Sequence, residues 1–330
     1  MRKADIIVIG SGPAGMEVAA RALAAGLDTV VIERGELGGT CLNRGCIPTK
    51  ALCRSAEVAA QVREAAAYGV EVTGFKVDVA VAMARKDTVV TELRANVASM
   101  LSKAEIVTGT ARLVSSDVAA VDDRSFTAPK IVIATGSEAA RLPIPGAELA
   151  LTSDEVLALN VCPERVCVIG GGVIGMEFAG ILSAFGAKVT VIEYCREILP
   201  GFDKDIAKRL RTTLSRRGVE IITSAAVTAI EPGKVVDYEC KGKTGRVEAD
   251  EVLMAVGRCP VVPEGTESVG VAVERRGISV DEAFATAVPG IYAVGDVNGR
   301  LMLAHAASAQ AANMMGAHMN LSVVPAAVFT

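Results

Sequence analysis

At 330 residues the chain is long enough for two or more domains with separate cores. Its formal charge of −4, from 34 Lys and Arg against 38 Asp and Glu, leaves no basic footprint, so no nucleic-acid partner is expected. With 32 glycines, no Trp and only 4 Tyr and 7 Phe, the composition suits helices packed closely on sheets and turns that ligands approach.

The chain opens MRKADIIVIGSGPAG. Two basic residues before an apolar run look like an export signal, but Asp5 interrupts the run and glycines cut it short. No window approaches the ~20 apolar residues of a membrane span, so no membrane partner is expected. Eight cysteines without regular spacing make no disulfide scaffold, and the expected compartment is the cytoplasm.

Residues 5–33, DIIVIGSGPAGMEVAARALAAGLDTVVIE, align without a gap to residues 165–193, RVCVIGGGVIGMEFAGILSAFGAKVTVIE, with 13 of 29 positions identical. Each copy reads as an apolar strand, a G-x-G-x-x-G turn, a small-residue helix stopped by a glycine (Gly26, Gly186) and a second strand closing on Glu33 or Glu193. Gly10 and Gly170 permit the tight turn out of the strand. Gly12 and Gly172 let the backbone approach a pyrophosphate on the helix N-terminus, and Gly15 and Gly175 bring helix and strand together. The acid accepts a ribose hydroxyl. One such fingerprint is a weak signal. Two, with glycines and acid intact in both, predict two dinucleotides, against the rival reading of a second copy kept only for packing. Glu193 suits the free 2′-hydroxyl of NAD and repels a 2′-phosphate; with Arg196 nearby, NAD is still expected over NADP.

Just after the first copy, residues 38–50 read GGTCLNRGCIPTK. Cys41 and Cys46 could be zinc ligands, a structural disulfide, a redox couple or unrelated thiols. Zinc needs more ligands than Cys53 supplies, since the two histidines lie far off at 305 and 318, and no metal site is expected. A structural disulfide suits a reducing compartment poorly. In a regular helix this separation puts the Cα atoms roughly 8–9 Å apart, beyond the ~7 Å limit for a bridge. A disulfide here therefore requires a break in the helix, most simply at Gly45. A redox couple also needs a carrier that takes two electrons from NADH and passes them to sulfur, which a flavin does.

Further along, residues 55–103 show long helical patterning (Ala56, Val58, Ala59 and Val62, then Val89, Val90, Leu93 and Val97). Buried strands are expected at 131–134 before Thr135-Gly136, at 252–256 before Gly257 and at 291–294 before Gly295-Asp296. LPIPG (142–146) and RCPVVPEG (258–265) read as crossings between domains. The expected fold is α/β with two Rossmann-like dinucleotide-binding domains. The first, for FAD, takes 1–145 and 263–330; the second, for NAD, takes 146–262.

These residues resemble the flavin-dependent pyridine nucleotide–disulfide oxidoreductases. The resemblance runs through CLNRGCIPTK, IVIATGS (131–137), GGGVIGMEFA (170–179) and GDVNGRLMLAHAA (295–307), and MLAH is most similar to the lipoamide branch. It implies FAD and NAD as cofactors. Cys46 would be the sulfur beside the flavin and Cys41 the interchange thiol. Lys50 would lie near flavin N5, paired with Glu177 of the second fingerprint helix, whose repeat counterpart Glu17 is expected to face solvent.

For FAD the resemblance implies contacts from Gly10, Gly12, Pro13, Ala14, Gly15, Glu33, Arg34, Gly39, Thr40, Ala111, Ala134, Thr135, Gly136, Gly295, Asp296 (on the ribityl chain), Met302, Leu303, Ala304 and His305. For NAD it implies Gly170, Gly172, Val173, Ile174, Gly175, Glu193, Val227, Ala255, Val256, Gly257 and Arg258. The implied activity is dihydrolipoamide dehydrogenase, with lipoamide or the lipoyl domain of a 2-oxoacid dehydrogenase complex as partner. A reductase of another disulfide or of a metal ion, and a non-catalytic NADH-sensing flavoprotein, are the alternatives.

The sequence departs from this pattern in two places. The family continues into an interface domain that makes a homodimer and supplies a His–Glu base. This chain ends at VVPAAVFT, an apolar strand-like run, and as given is expected to be monomeric. At GRCPV (257–261) a basic residue and an asparagine are usual.

Overall fold

A computed structural model describes residues 1–330 and divides them into two compact units. The first comprises Met1–Asn43, Val90–Glu138 and Arg258–Ala326; the second comprises Arg44–Val89, Ala139–Gly257 and Ala327–Thr330.

The first unit is built on five parallel strands in the order Ile291–Ala293, Ile131–Ile133, Ile6–Ile9, Thr29–Glu33, Glu105–Thr108. These strands are nearly unbroken Val and Ile because both faces of the sheet are buried. Ile7, Ile9, Val30, Ile32, Ile131 and Ile133 pack on one side with Phe126. Ile6, Val8, Val31 and Val132 pack on the other, against Ala14, Val18, Ala22, Ala307 and Ala311. Those alanines come from the helices Pro13–Ala24 and Ala304–Met314. Small side chains let the two helices lie close together. A second sheet in this unit orders Arg2–Lys3, Arg124–Thr127, Val118–Val121 and Arg112–Ser115.

The second unit repeats the plan with four parallel strands in the order Glu220–Thr223, Lys188–Glu193, Arg165–Ile169, Glu251–Met254. On one face Val166, Val168, Val189, Val191 and Leu253 meet Met176, Phe178 and Leu182 of the helix Val173–Phe185, with Leu52 and Ala56 in the same cluster. On the other, Cys167, Ile169, Ile192, Val252 and Met254 cluster with Ile230 and Val236 of a three-stranded antiparallel sheet, Ala225–Glu231, Val235–Cys240, Lys243–Glu248.

The expected helical stretch resolves into the helices Cys46–Glu64 and Val79–Met100. Contacts group Arg44–Val89 with the second unit, whereas the sequence division kept all of 1–145 together. The reason is packing: Leu52, Ala56, Ala82 and Met83 find their apolar partners around Phe178 and Leu182. LPIPG lies within the second unit, where Ile230 N donates to the Pro145 carbonyl at 2.9 Å. The apolar run at 323–330 forms no strand. No helix is long and apolar enough to cross a membrane.

Candidate active site: two fingerprint turns and a thiol segment

Each fingerprint strand ends in a glycine with positive φ, Gly10 at 101° and Gly170 at 106°. A Cβ on Gly10 would stand 2.4 Å from the Ala134 carbonyl oxygen, and one on Gly170 2.4 Å from that of Ala255. The third glycines are tighter still: a Cβ on Gly15 or Gly175 would approach the Gly10 or Gly170 oxygen to 1.9 or 2.0 Å. The middle glycines are open. Beyond Gly12 the nearest atom is Gly39 Cα at 4.0 Å, and beyond Gly172 nothing lies within 4 Å. Gly12 and Gly172 are the N-caps of helices with no side-chain cap and no acid in the first turn. The positive helix ends and their unpaired N–H groups are thus left for an anion, so both turns fit a dinucleotide pyrophosphate.

The two acids are buried and engaged by backbone. Glu33 Oε2 accepts from Ser11 N at 2.8 Å and Ser11 Oγ at 2.7 Å, and its Oε1 accepts from Gly35 N at 2.9 Å. Glu193 Oε2 accepts from Gly171 N at 2.5 Å and its Oε1 from Cys195 N at 2.6 Å. Each carboxylate therefore clasps the fingerprint turn to the bend that follows its own strand. Burial first, and then the bond and charge of Glu193, raise the neighbouring Cys195 thiol above its usual range. Arg34 and Arg196 are exposed.

The sequence-predicted residues of the first copy gather at the carboxyl edge of one parallel sheet, where such folds bind ligands. Ala134, Thr135 and Gly136 follow the strand Ile131–Ile133, and Gly295 and Asp296 lie on a 3-10 turn, Gly295–Asn298, after Ile291–Ala293. Ala111, buried, follows Glu105–Thr108. Met302 and Leu303 lead into the helix Ala304–Met314, where His305 is exposed and its Nε2 lies 2.8 Å from the Pro325 carbonyl. In the second unit Ala255, Val256 and Gly257 follow the strand Glu251–Met254, Val173 and Ile174 begin the fingerprint helix, and Val227 is half-buried on the antiparallel sheet. Arg258, grouped by sequence with the NAD residues, belongs to the first unit. Its Nε donates to Ser137 Oγ at 2.7 Å and its Nη2 to the Ser137 carbonyl at 2.7 Å.

The thiol segment is broken where a disulfide would require it. Cys41 lies in the short helix Gly39–Arg44, opened by Gly39 and Thr40, and Cys46 begins the helix Cys46–Glu64. Gly45 between them has φ −143° and ψ −113°, outside helical values. Gly39, at φ 59°, lies against the fingerprint so closely that a Cβ would stand 2.6 Å from Gly12 Cα. Asn43 Nδ2 ties the turn together by donating to the carbonyls of Leu37 and Gly39 at 2.9 Å, and Arg94 Nε donates to its Oδ1 at 2.9 Å.

Lys50 Nζ donates to both oxygens of Glu177 at 2.7 Å, and Glu177 is 3% exposed. The Phe329 amide adds a bond to Glu177 Oε1 at 3.1 Å, and the Phe329 ring lies 5.0 Å from Lys50 Nζ. Glu17, the counterpart in the first copy, makes only a half-exposed pair with Arg21. Cys46, Lys50 and Cys53 follow helical spacing along one face. Burial first, then the Glu177 charge, pushes the Cys53 thiol up to about 11, so it stays protonated at neutral pH.

Sequence reasoning missed Ser137, Asn43, Asn298, Gln310 and Phe329. Ser137 sits inside the IVIATGS string and Asn43 inside CLNRGC, so both could have been found there. Gln310 and Phe329 carry no local signal.

Two parallel sheets, each with an open glycine turn, and a dithiol at a helix break define a two-dinucleotide redox enzyme. Residues 4–311 match the family model described as pyridine nucleotide-disulphide oxidoreductase, and the chain belongs to that family. It is 39% identical over 312 residues to a dihydrolipoyl dehydrogenase of Acholeplasma laidlawii, covering 92% of each chain. With that of Bacillus subtilis it is 39% identical over 329 residues, covering 92% of this chain and 69% of the relative. Among solved structures it resembles the HOCl-induced flavoprotein disulfide reductase RclA of Escherichia coli in its Cu(II) complex. There the TM-score is 0.83 and the identity 31%, over 95% of this chain and 70% of the other. The chain is a flavin-dependent oxidoreductase acting on sulfur groups, with FAD and NAD(H) as its cofactors.

Proposed function

We propose that the protein is a dihydrolipoamide dehydrogenase, catalysing dihydrolipoamide + NAD⁺ → lipoamide + NADH + H⁺. In this reading the first unit holds FAD and the second NAD(H). The observation that carries it is the Lys50–Glu177 pair, one helical turn beyond Cys46, with its carboxylate supplied by the second fingerprint helix. When bound, FAD supplies the two-electron carrier between sulfur and nicotinamide.

The chain's own residues do the sulfur chemistry. One substrate thiolate attacks Cys41 Sγ of a Cys41–Cys46 disulfide, forming a mixed disulfide and releasing Cys46 as thiolate. The second substrate thiolate attacks its own sulfur in that mixed disulfide, closing lipoamide and releasing the Cys41 thiolate. Two electrons have then passed from substrate to the protein dithiol, and the two thiol protons have been released. Lys50 places a cation one helical turn beyond Cys46, and Glu177 holds that ammonium in place. Asp296 would receive a ribityl hydroxyl of bound FAD, and the remaining lone pairs of Glu33 and Glu193 would serve the riboses. The macromolecular partner in this reading is a lipoyl domain.

A panel of acceptors with the FAD-loaded protein and NADH tests the reading. Turnover of lipoamide well above that of glutathione disulfide, lost in Cys41→Ser and Cys46→Ser, is the expected result. Turnover of another disulfide or of Cu(II) with none of lipoamide would favour the second reading, a reductase of another acceptor, to which the likeness to RclA lends weight.

A further inference from the structure

In the first unit one chain of hydrogen bonds serves neither fingerprint. Ser137 is 6% exposed, and its hydroxyl lies between a cation and an anion. It receives Arg258 Nε at 2.7 Å and donates to Asp296 Oδ2 at 2.6 Å. Guanidinium groups only donate, so the serine proton has one direction available, toward the carboxylate.

The backbone on either side is fixed as well. Thr135 Oγ1 donates to the Val261 carbonyl, and Val261 N donates to the Gly136 carbonyl at 3.0 Å, which lashes the two segments together. From the other direction the buried Gln310 Oε1 accepts from Gly295 N at 2.9 Å and Asn298 Nδ2 at 2.8 Å, fixing the turn that carries Asp296. One carboxylate oxygen of Asp296, Oδ2, is thereby engaged and the group aimed, while no donor of the chain reaches Oδ1. A carboxylate held in this way presents a fixed acceptor to a hydroxyl.

We propose that Ser137 and Arg258 are positioning residues for Asp296: an Arg–Ser–Asp relay that presents Oδ1 to a hydroxyl of the flavin's ribityl chain. Arg258 then serves the flavin unit and not the nicotinamide. The inference rests on the reading of Asp296 given under Proposed function. Both bonds on the serine are charge-assisted and short, the kind whose loss is felt in binding.

The test is FAD titration of the flavin-stripped full chain, followed by flavin fluorescence, with NADH titration of each reloaded variant alongside. Asp296→Asn, Ser137→Ala and Arg258→Met should each weaken FAD about tenfold. The double variant S137A/R258M should be no weaker than R258M alone, because R258M already cuts the relay and also removes the Nη2 bond to the Ser137 carbonyl. Ser137→Thr, which keeps the hydroxyl, should restore binding, and a purely structural role would show neither effect. Should S137A not fold, R258M, at a half-buried position, carries the same comparison. If D296N weakens FAD while S137A and R258M do not, the relay is wrong and the reading of Asp296 stands. If D296N has no effect, that reading fails as well. An R258M that keeps FAD affinity and loses NADH affinity would return Arg258 to the nicotinamide and overturn the inference.

Discussion

The two fingerprint copies agree within about a tenth of an ångström at their first and third glycines and diverge after the acid. In both, a Cβ on the first glycine would meet a carbonyl oxygen at 2.4 Å, and one on the third would meet the first glycine's oxygen at 1.9 or 2.0 Å. In both, the acid bridges the second residue of the turn to the backbone two residues beyond itself. In the first copy the following loop then returns through Gly38 N, which donates to the Ser11 carbonyl at 3.1 Å, and leads into the thiol helix. In the second copy Leu199 N makes the equivalent bond to the Gly171 carbonyl at 2.7 Å, and the chain there turns into a buried apolar corner. The helix acids diverge in the opposite sense: Glu17 is left at the surface and Glu177 is buried on Lys50. Packing positions repeat because the strand–turn–helix geometry admits one solution, whereas the helix acids lie outside that shared geometry and differ in burial and partner.

The largest effects should come from filling the third glycines. Gly15→Ala and Gly175→Ala place a methyl inside backbone contact distance, and each should cost upwards of ~3 kcal/mol in urea unfolding. Gly172→Ala, with open space beyond it, should unfold like the parent yet bind NADH markedly more weakly. If G172A and G175A behaved alike, the separation into packing and ligand glycines would be broken.

Next in size is the contrast between the helix acids. Lys50→Met leaves the Glu177 carboxylate buried with only the Phe329 amide, and should cost about 2 kcal/mol. Glu17→Gln should cost less than ~0.5 kcal/mol, as expected for a half-exposed i,i+4 pair. Equal losses in the two would show that burial does not distinguish the copies.

What was legible in the sequence, and what was not, follows the range of the interaction. The glycine turns, the strand ends at 131–133 and 291–293 and the break at Gly45 depend on bond geometry within a few residues, so spacing reveals them. The Lys50–Glu177 contact spans 127 positions and is legible only through the family resemblance. The Arg258–Ser137–Asp296 relay was not legible, because nothing local to any of the three residues names the other two. Nor was the burial of Glu33 and Glu193 on backbone donors: the sequence shows an acid at the right offset but not which of its lone pairs remain. The absence of a strand at 323–330 has the same origin, since an apolar run becomes a strand only where a neighbouring strand completes its hydrogen bonds.

The acids themselves supply a finer comparison. An amide in place of a carboxylate has one acceptor oxygen, so one of the bridged N–H groups loses its partner. Glu193→Gln should cost ~1–2 kcal/mol, measured by urea unfolding. Glu33→Gln should cost less, because the Ser11 hydroxyl can rotate to accept from the new NH₂, while Gly171 offers no such group. A larger loss for E33Q than for E193Q would mean that the serine does not adapt.

The smallest effect is expected inside the fingerprint strands, where Cys167 takes the place of Ile7. Both are fully buried, and burial, with a smaller contribution from the Glu220 charge, pushes the Cys167 thiol up to about 12. A thiol so placed is a small apolar group with no accessible thiolate at pH 8. Iodoacetamide should therefore leave Cys167 unmodified in the native protein, as read by mass spectrometry of its peptide, and label it only after denaturation. Cys167→Val should change stability by less than about 1 kcal/mol, the strand needing only bulk at that position. Native labelling would show that the second sheet opens where the first does not, and the likeness of the two copies would then stop at their turns.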